Sequence, residues 1–430
     1  MSIRKKTASV LAVTSVLALC GLAAAPSASA DAAPPIAAPL VTGAGGVELL
    51  SYDEETGDAV LSAGAASADV KVGQVIDSLP CEAAPDGALL VVTAVRKAAD
   101  GTVAVSTRAG AINELLGTKT ASVRSAVSPS SFAVTPEVSG LKVSYVPRID
   151  GASASAGMAL KLSADTDIEL PDGTSAEFSG SMEVAPAIDF DYTGAVFDVQ
   201  KAHVGFTADT KADWHVKGRF TTDDTSIKVP IASLSASPVV KVIGLPVVVN
   251  LDLTLYAHIT ANGRVTIDVE QSYADDWGVY ADYTKGRGWT KGTDSGSATE
   301  APVKGAISGH GDIRTGLLTE GTVAIFDSLG VKAGIEPYLR TVVSGSVVFD
   351  GEGGVESQTG PVELYGGLDI GGALIARLRI LGTTLFEREL PFTIYQEEWP
   401  LLGVQGASDE EEYDEEESGE KSPGDDVFLD

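Results

Sequence analysis

The sequence predicts a mainly β protein. The expected architecture is an antiparallel β-sandwich or incomplete barrel, with a small β-rich module before it and a disordered acidic tail after it. Three observations predict this. Residues 246–289 carry a long alternation of apolar and polar side chains. From residue 132 onward, strand-like runs follow one another between turn signals, with almost no 3.6-residue periodicity. Residues 403–430 change abruptly to acidic low complexity. Alternation with a period of two puts successive side chains on opposite faces, so such a run buries one face and wets the other. An amphipathic sheet of this kind needs a second layer over its apolar face.

The strongest stretch reads PVVVNLDLTLYAHITANGRVTIDVEQSYADDWGVYADYTKGRGW. Leu251, Leu253, Leu255, Ala257 and Ile259 alternate with Asp252, Thr254, Tyr256, His258 and Thr260, and Val265, Ile267 and Val269 continue the pattern. Between them, Ala261-Asn262-Gly263 reads as a hairpin turn. A two-residue Asn-Gly loop would mix the faces. A three-residue loop sets Ile259 against Val265 and keeps one face apolar, so it is the expected register. It places His258 opposite Thr266 on the polar face.

The chain begins with the pattern of a secretory signal over residues 1–30. Arg4, Lys5 and Lys6 precede an apolar run, and Ala28-Ser29-Ala30 gives an A-x-A cleavage site. Leu19 stands where a lipidated Cys20 would require a small residue. Cleavage leaves Cys81 as the single cysteine, so no intramolecular disulfide forms, and a buried thiol is expected. Residues 31–46 form an Ala/Pro-rich spacer expected to be disordered. Residues 47–125 read as a small β-rich module. Strands at 47–52 and 59–62 flank the acidic turn 53–58, a hairpin at 89–96 and 102–107 closes on Asp100-Gly101, and a short helix covers 111–116. Residues 118–131 read as a linker.

The run VGQVIDSLPCEAAPDGALLVVTAVRKAADGTVAVSTRAGAINELL resembles an N-terminal module of bacterial exported proteins, in which it precedes a long β-rich region. LPVVVNLDLTLYAHI, YADYTKGRGW, LGVKAGIEPYLR and VELYGGLDIGGALIARLRILG resemble the β-rich region of the same group. The resemblance implies a small module followed by a long antiparallel β domain, and no catalytic residues. That large domain is expected over residues 132–402. Within it, residues 197–212 and 212–220 read as two strands meeting near Asp209–Lys211.

The net charge of −30 leaves no basic patch to neutralise phosphates, which argues against nucleic acid and against docking on anionic lipid. After the signal, no apolar run reaches the length of a membrane-spanning helix. The expected location is therefore secreted or extracellular, with non-covalent attachment to the cell surface as a variant. No G-x-S-x-G, H-E-x-x-H or zinc-spaced histidine pattern occurs, so the sequence favours a non-catalytic protein without cofactor. The alternatives are a secreted hydrolase using carboxylates and a carrier of lipid or another apolar ligand.

One stretch suggests binding. Tyr273, Trp277, Tyr280, Asp282 and Trp289 combine flat aromatic rings with a carboxylate, a combination suited to stacking on sugars. A cell-wall glycan or another surface component is the expected partner. The alternation places Tyr280 and Asp282 on one face and Tyr283 on the other, so half of the cluster is expected in the core. Asp53, Glu55 and Asp58 are weak metal candidates. Weak Ca²⁺ association of the acidic segments is the corresponding expectation, against solvated turn charges.

Overall fold

The computed structural model describes residues 38–43, 46–147, 157–170, 175–195, 198–295, 299–326, 329–376, 378–380, 383–386 and 389–402. The expectations for the signal, the Cys20 site, residues 31–37 and the acidic tail lie outside the described residues. The described residues belong to one compact unit, and they are mainly β.

The first sheet has six strands: β1 (Leu40–Thr42), β2 (Leu49–Tyr52), β3 (Asp58–Leu61), β4 (Val75–Ser78), β5 (Ala88–Lys97) and β6 (Val103–Ala109). Their spatial order is β1-β4-β5-β6-β3-β2. The expected β5–β6 hairpin is present. β1 corrects the spacer expectation, because residues 40–42 pair in parallel with β4. Helix α1 (Ala65–Ala68) follows β3, and α2 (Ile112–Leu116) covers the helix read from the sequence. Glu114 closes α2 by accepting from the Ala111 N–H at 2.9 Å, while Arg108 pairs with the same carboxylate.

The second sheet takes the rest of the chain. Its strands are β7 (Ala121–Ala126), β8 (Ala133–Pro136), β9 (Lys142–Pro147), β10 (Met158–Glu169), β11 (Ser175–Ala195), β12 (Asp198–Ala236), β13 (Val239–Val242), β14 (Leu245–Thr284), β15 (Gly288–Ser295), β16 (Thr299–Glu300), β17 (Lys304–Ile325), β18 (Leu329–Asp350), β19 (Val355–Thr359) and β20 (Val362–Ala376). Beyond a separate small pair, β21 (Leu378–Ile380) and β22 (Thr383–Phe386), β23 (Glu389–Leu402) completes it. The main order is β23-β20-β18-β17-β14-β12-β11-β10-β9, antiparallel throughout. The predicted linker is a correction: its residues 121–126 form β7, which pairs with β11.

Two strand assignments change. Residues 198–236 are one strand, with no break near Asp209–Lys211. The predicted hairpin at 261–263 is absent as well, for β14 runs straight through it for 40 residues. Ile259 pairs with Ile227 and Thr315, and His258 with Lys228 and Gly316. A three-residue turn and an unbroken strand both keep odd-numbered side chains on one face, so the apolar pattern satisfies either. The choice is made by neighbours on both sides, which saturate the β14 backbone.

Gly263 does have φ +108°, yet it makes a crease instead of a turn. A Cβ there would collide with the His310 carbonyl. Gly263 faces Gly311, and Gly309 faces Gly345, so the crease passes from β14 to β17 and β18. On β12 it is continued by a register shift between Thr222 and Thr225. Glycine kinks and bulges are how a long sheet turns a corner.

The crease folds the second sheet back on itself. The Trp214 indole N–H donates to Thr315 Oγ1 at 3.3 Å, within the core. Trp214 pairs with Gln271 and Thr315 with Ile259, positions about 40 Å apart along a flat strand. Thr319 and Met182 make a second such bridge. The two halves thus face one another as layers of a sandwich. One apolar core runs between them and extends to Val75, Leu89, Val91, Ile112, Leu115 and Leu116 of the N-terminal module. A second, smaller core lies inside the first sheet, around Ile76, Leu90 and Leu61.

Candidate functional site

From Asp252 onward, even-numbered residues of β14 point away from the core, and the functional side chains gather on that outer face. One group lies at the C-terminal end of the strand. Tyr280 pairs across the sheet with Gly205 of β12 and Gly292 of β15. Its ring lies directly over Gly292, where a Cβ would collide with it. The His203 ring sits 5.6 Å away at 30°. His203 Nδ1 is 2.7 Å from Asp282 Oδ1. A flat, partly exposed ring thus stands beside an imidazole and a carboxylate on an open sheet face.

The other aromatic candidates are elsewhere. Tyr273 and Trp277 point inward and are buried, which corrects their assignment to a binding surface. Tyr273 donates to Asp275 Oδ2 at 2.8 Å, and Trp277 Nε1 to Thr210 Oγ1 at 2.9 Å. Trp277 also packs on Phe206, with ring centroids 5.6 Å apart. Trp289 lies against Tyr283 and packs on the core edge. Five residues close in sequence are therefore split by strand alternation. Tyr280 and Asp282 remain together.

Midway along the sheet is a second outer-face group that the sequence did not reveal. His258 Nδ1 lies 2.7 Å from Glu336 Oε1, and His258 Nε2 lies 3.0 Å from Ser226 Oγ. Burial pushes the Glu336 carboxyl up, but the hydrogen bond from His258 and the charge of Arg314 outweigh it, so it titrates below its usual range. An ionised carboxylate accepts only, so His258 Nδ1 donates to Glu336, and Nε2 is the ring nitrogen turned to the serine hydroxyl.

Arg314 holds this arrangement. Its Nη2 bridges Glu336 Oε2 at 2.6 Å and Asp369 Oδ2 at 2.7 Å, and its Nε reaches Glu336 Oε1 at 3.2 Å. The guanidinium lies 3.4 Å over the Tyr338 ring. Directly across the ladder from Arg314, Arg340 links Asp312 and Glu398. The Glu336 side chain is 8% exposed and that of Arg314 16%. Charges so withdrawn from water persist only when every partner is in place.

No local signal announces this group. Ser226 and His258 are 32 residues apart, and His258 and Glu336 are 78 apart. Pairing of β12, β14, β17 and β18 brings them together.

Of the acidic-turn candidates, Asp53 and Asp58 line a groove of about 470 Å³ on the first sheet, with Tyr52, Ala94, Arg96, Ala104 and Ser106, and Glu55 does not. Asp53 Oδ1 accepts from the N–H groups of Glu55 and Thr56, which holds its carboxyl below the usual range. Asp58 Oδ1 accepts from Ser106 Oγ. Among the described residues, no three His, Cys, Asp or Glu side chains are grouped to hold a metal ion. No helix among them is long and apolar enough to cross a membrane.

No protein-family model, curated protein or solved structure matches the chain.

Proposed function

We propose that the chain is an exported protein that acts by binding at the cell surface or outside the cell, with a wall glycan as the favoured partner. The observation that carries this reading is the Tyr280–His203–Asp282 platform. Its ring is anchored on Gly292, and its neighbours offer a hydrogen-bond donor and an acceptor at the ring edge. A pyranose stacks its apolar face on such a ring while its hydroxyls bond to the flanking polar groups. Export rests on the signal pattern of residues 1–30.

The test is co-sedimentation of the protein with purified wall glycan, with bare beads as control. Saturable pelleting is expected, and Tyr280→Ala is expected to abolish it without changing the far-UV circular dichroism. Wild-type pelleting by Tyr280→Ala would remove the platform from the reading. Trp277→Ala is unsuitable as a binding probe, because it empties a core site and costs about 3–5 kcal/mol of stability.

A further inference from the structure

We propose that Ser226, His258 and Glu336 form an acyl-transfer centre that hydrolyses carboxylic esters on an extended substrate lying across the outer face of the sheet. This adds a reaction to a protein read above as acting by binding, and it does not depend on the glycan platform.

The geometry is that of a nucleophile, its base and the group that orients the base. Ser226 Oγ is 3.0 Å from His258 Nε2, and His258 Nδ1 is 2.7 Å from Glu336 Oε1. Both separations lie within the hydrogen-bond reach such a relay requires. Exposure is graded along the relay: Ser226 is exposed, while the side chains of His258 and Glu336 are 12% and 8% exposed. The nucleophile can meet a substrate while the base is held by protein. Arg314 grips Glu336 through both carboxylate oxygens and fixes the orienting group.

The backbone around Ser226 is also unusual. Asp224 has φ +46°, a conformation that non-glycine residues rarely hold. The β12 register shifts between Thr222 and Thr225. Asn262 Nδ2 donates to Asp224 Oδ1 at 2.7 Å and holds the distortion. Strain and bulges concentrate where a side chain must be re-aimed. Among the described residues, no strand pairs with residues 221–230 of β12 on the side away from β14. A strand edge without a partner presents backbone N–H groups. Those beside Ser226 are the donors for an oxyanion.

In the reaction, the Ser226 hydroxyl proton passes to His258 Nε2 as Oγ bonds to the ester carbonyl carbon. Collapse of the tetrahedral oxyanion breaks the ester C–O bond, and the imidazolium gives its proton to the leaving alcohol. Water then attacks acyl-Ser226, passes a proton to His258, and a carboxylic acid leaves as the serine is restored. No oxidant, metal or co-reactant is required. Because Ser226 stands on an open face, the expected substrate class is a small acyl ester carried on a polymer.

The test uses the purified chain with p-nitrophenyl acetate and with a fluorophosphonate probe read by peptide mass spectrometry. Expected are one adduct on Ser226 and an ester turnover that falls about 100-fold or more in Ser226→Ala, in line with loss of a nucleophile–base pair. His258→Gln is expected to fall equally. Glu336 acts as a positioning residue, so Glu336→Gln should lower turnover less and displace its pH profile. Ser226 is exposed, so its alanine variant keeps the wild-type melting temperature and the comparison holds if the two buried variants misfold. Unchanged turnover in Ser226→Ala, or no adduct on Ser226 under conditions that label an authentic serine hydrolase, would overturn the proposal. Glycan pelleting is a separate readout and is indifferent to either result.

Discussion

Asp77 is the residue whose surroundings fit its chemistry least. It sits on β4 on the same face as Val75 and pairs with Leu89, so it is turned toward the main core. It is fully buried, and neither carboxyl oxygen has a hydrogen-bond partner among the described residues. Burial pushes its carboxyl from 3.8 up to about 7. A carboxyl that holds its proton in the folded state but loses it in the unfolded chain makes stability fall as pH rises between those two values. The contribution is fully present below about pH 4 and is lost by about pH 7. At 1.36 kcal/mol per pKa unit, the swing is on the order of a few kcal/mol. Asp77→Asn removes the ionisation and keeps the shape. Urea unfolding of both proteins from pH 4 to pH 8 should therefore show a gap that opens in favour of the variant as pH rises. A constant gap would mean that the carboxyl finds water or a partner on ionisation.

At the scale of the element, the crease decides how the long strands are used. A 40-residue strand is far longer than the usual five or six residues. It is tolerated because the sheet folds over at Gly263 and buries both halves of the strand against each other. Gly263→Ala must either flatten the crease or push the His310 carbonyl aside. A loss of about 1–3 kcal/mol is expected in urea unfolding, from strain at positive φ. Gly46→Ala is the control, since a Cβ there meets nothing within 4 Å, and it should melt with the wild type. The same element shows what the sequence could and could not convey. The odd-numbered apolar face from Leu251 to Ala281 was readable, as were the β5–β6 hairpin and α2. The path of the chain at Asn262-Gly263 was not, because side-chain alternation reports a face and carries no information about direction. Tyr280 and Asp282 were legible by alternation as an outward pair. Ser226, Glu336 and Arg314 were not, because a site built across four strands depends on register, and register is set by contacts remote in sequence.

For the whole molecule, the question is whether the N-terminal module and the large sheet are separate folding units. The sequence divides them near residues 125–132, but packing joins them. Val75, Leu89, Val91, Ile112, Leu115 and Leu116 share one core with Leu160, Phe190 and Val248. Asn250 Nδ2 donates to the Asp86 carbonyl at 2.8 Å, and Tyr192 donates to the Gly117 carbonyl. The chain between them adds β7 and β8 to the large sheet and leaves no free linker. The first sheet keeps a small core of its own around Ile76 and Leu90, but its other side, with Val75, Leu89 and Val91, packs into the core it shares with α2 and the large domain. Removing that cover would expose both the seam side chains and the Asp77 carboxyl. Cooperativity should follow the shared core. Calorimetry of the full chain should give one endotherm whose calorimetric and van't Hoff enthalpies agree. Leu115→Ala, at the seam, should lower that single transition by about 2–5 kcal/mol without splitting it. Two resolved transitions in the wild type, or a seam variant that melts the module alone, would show that each sheet folds on its own core and that the seam is a docking contact.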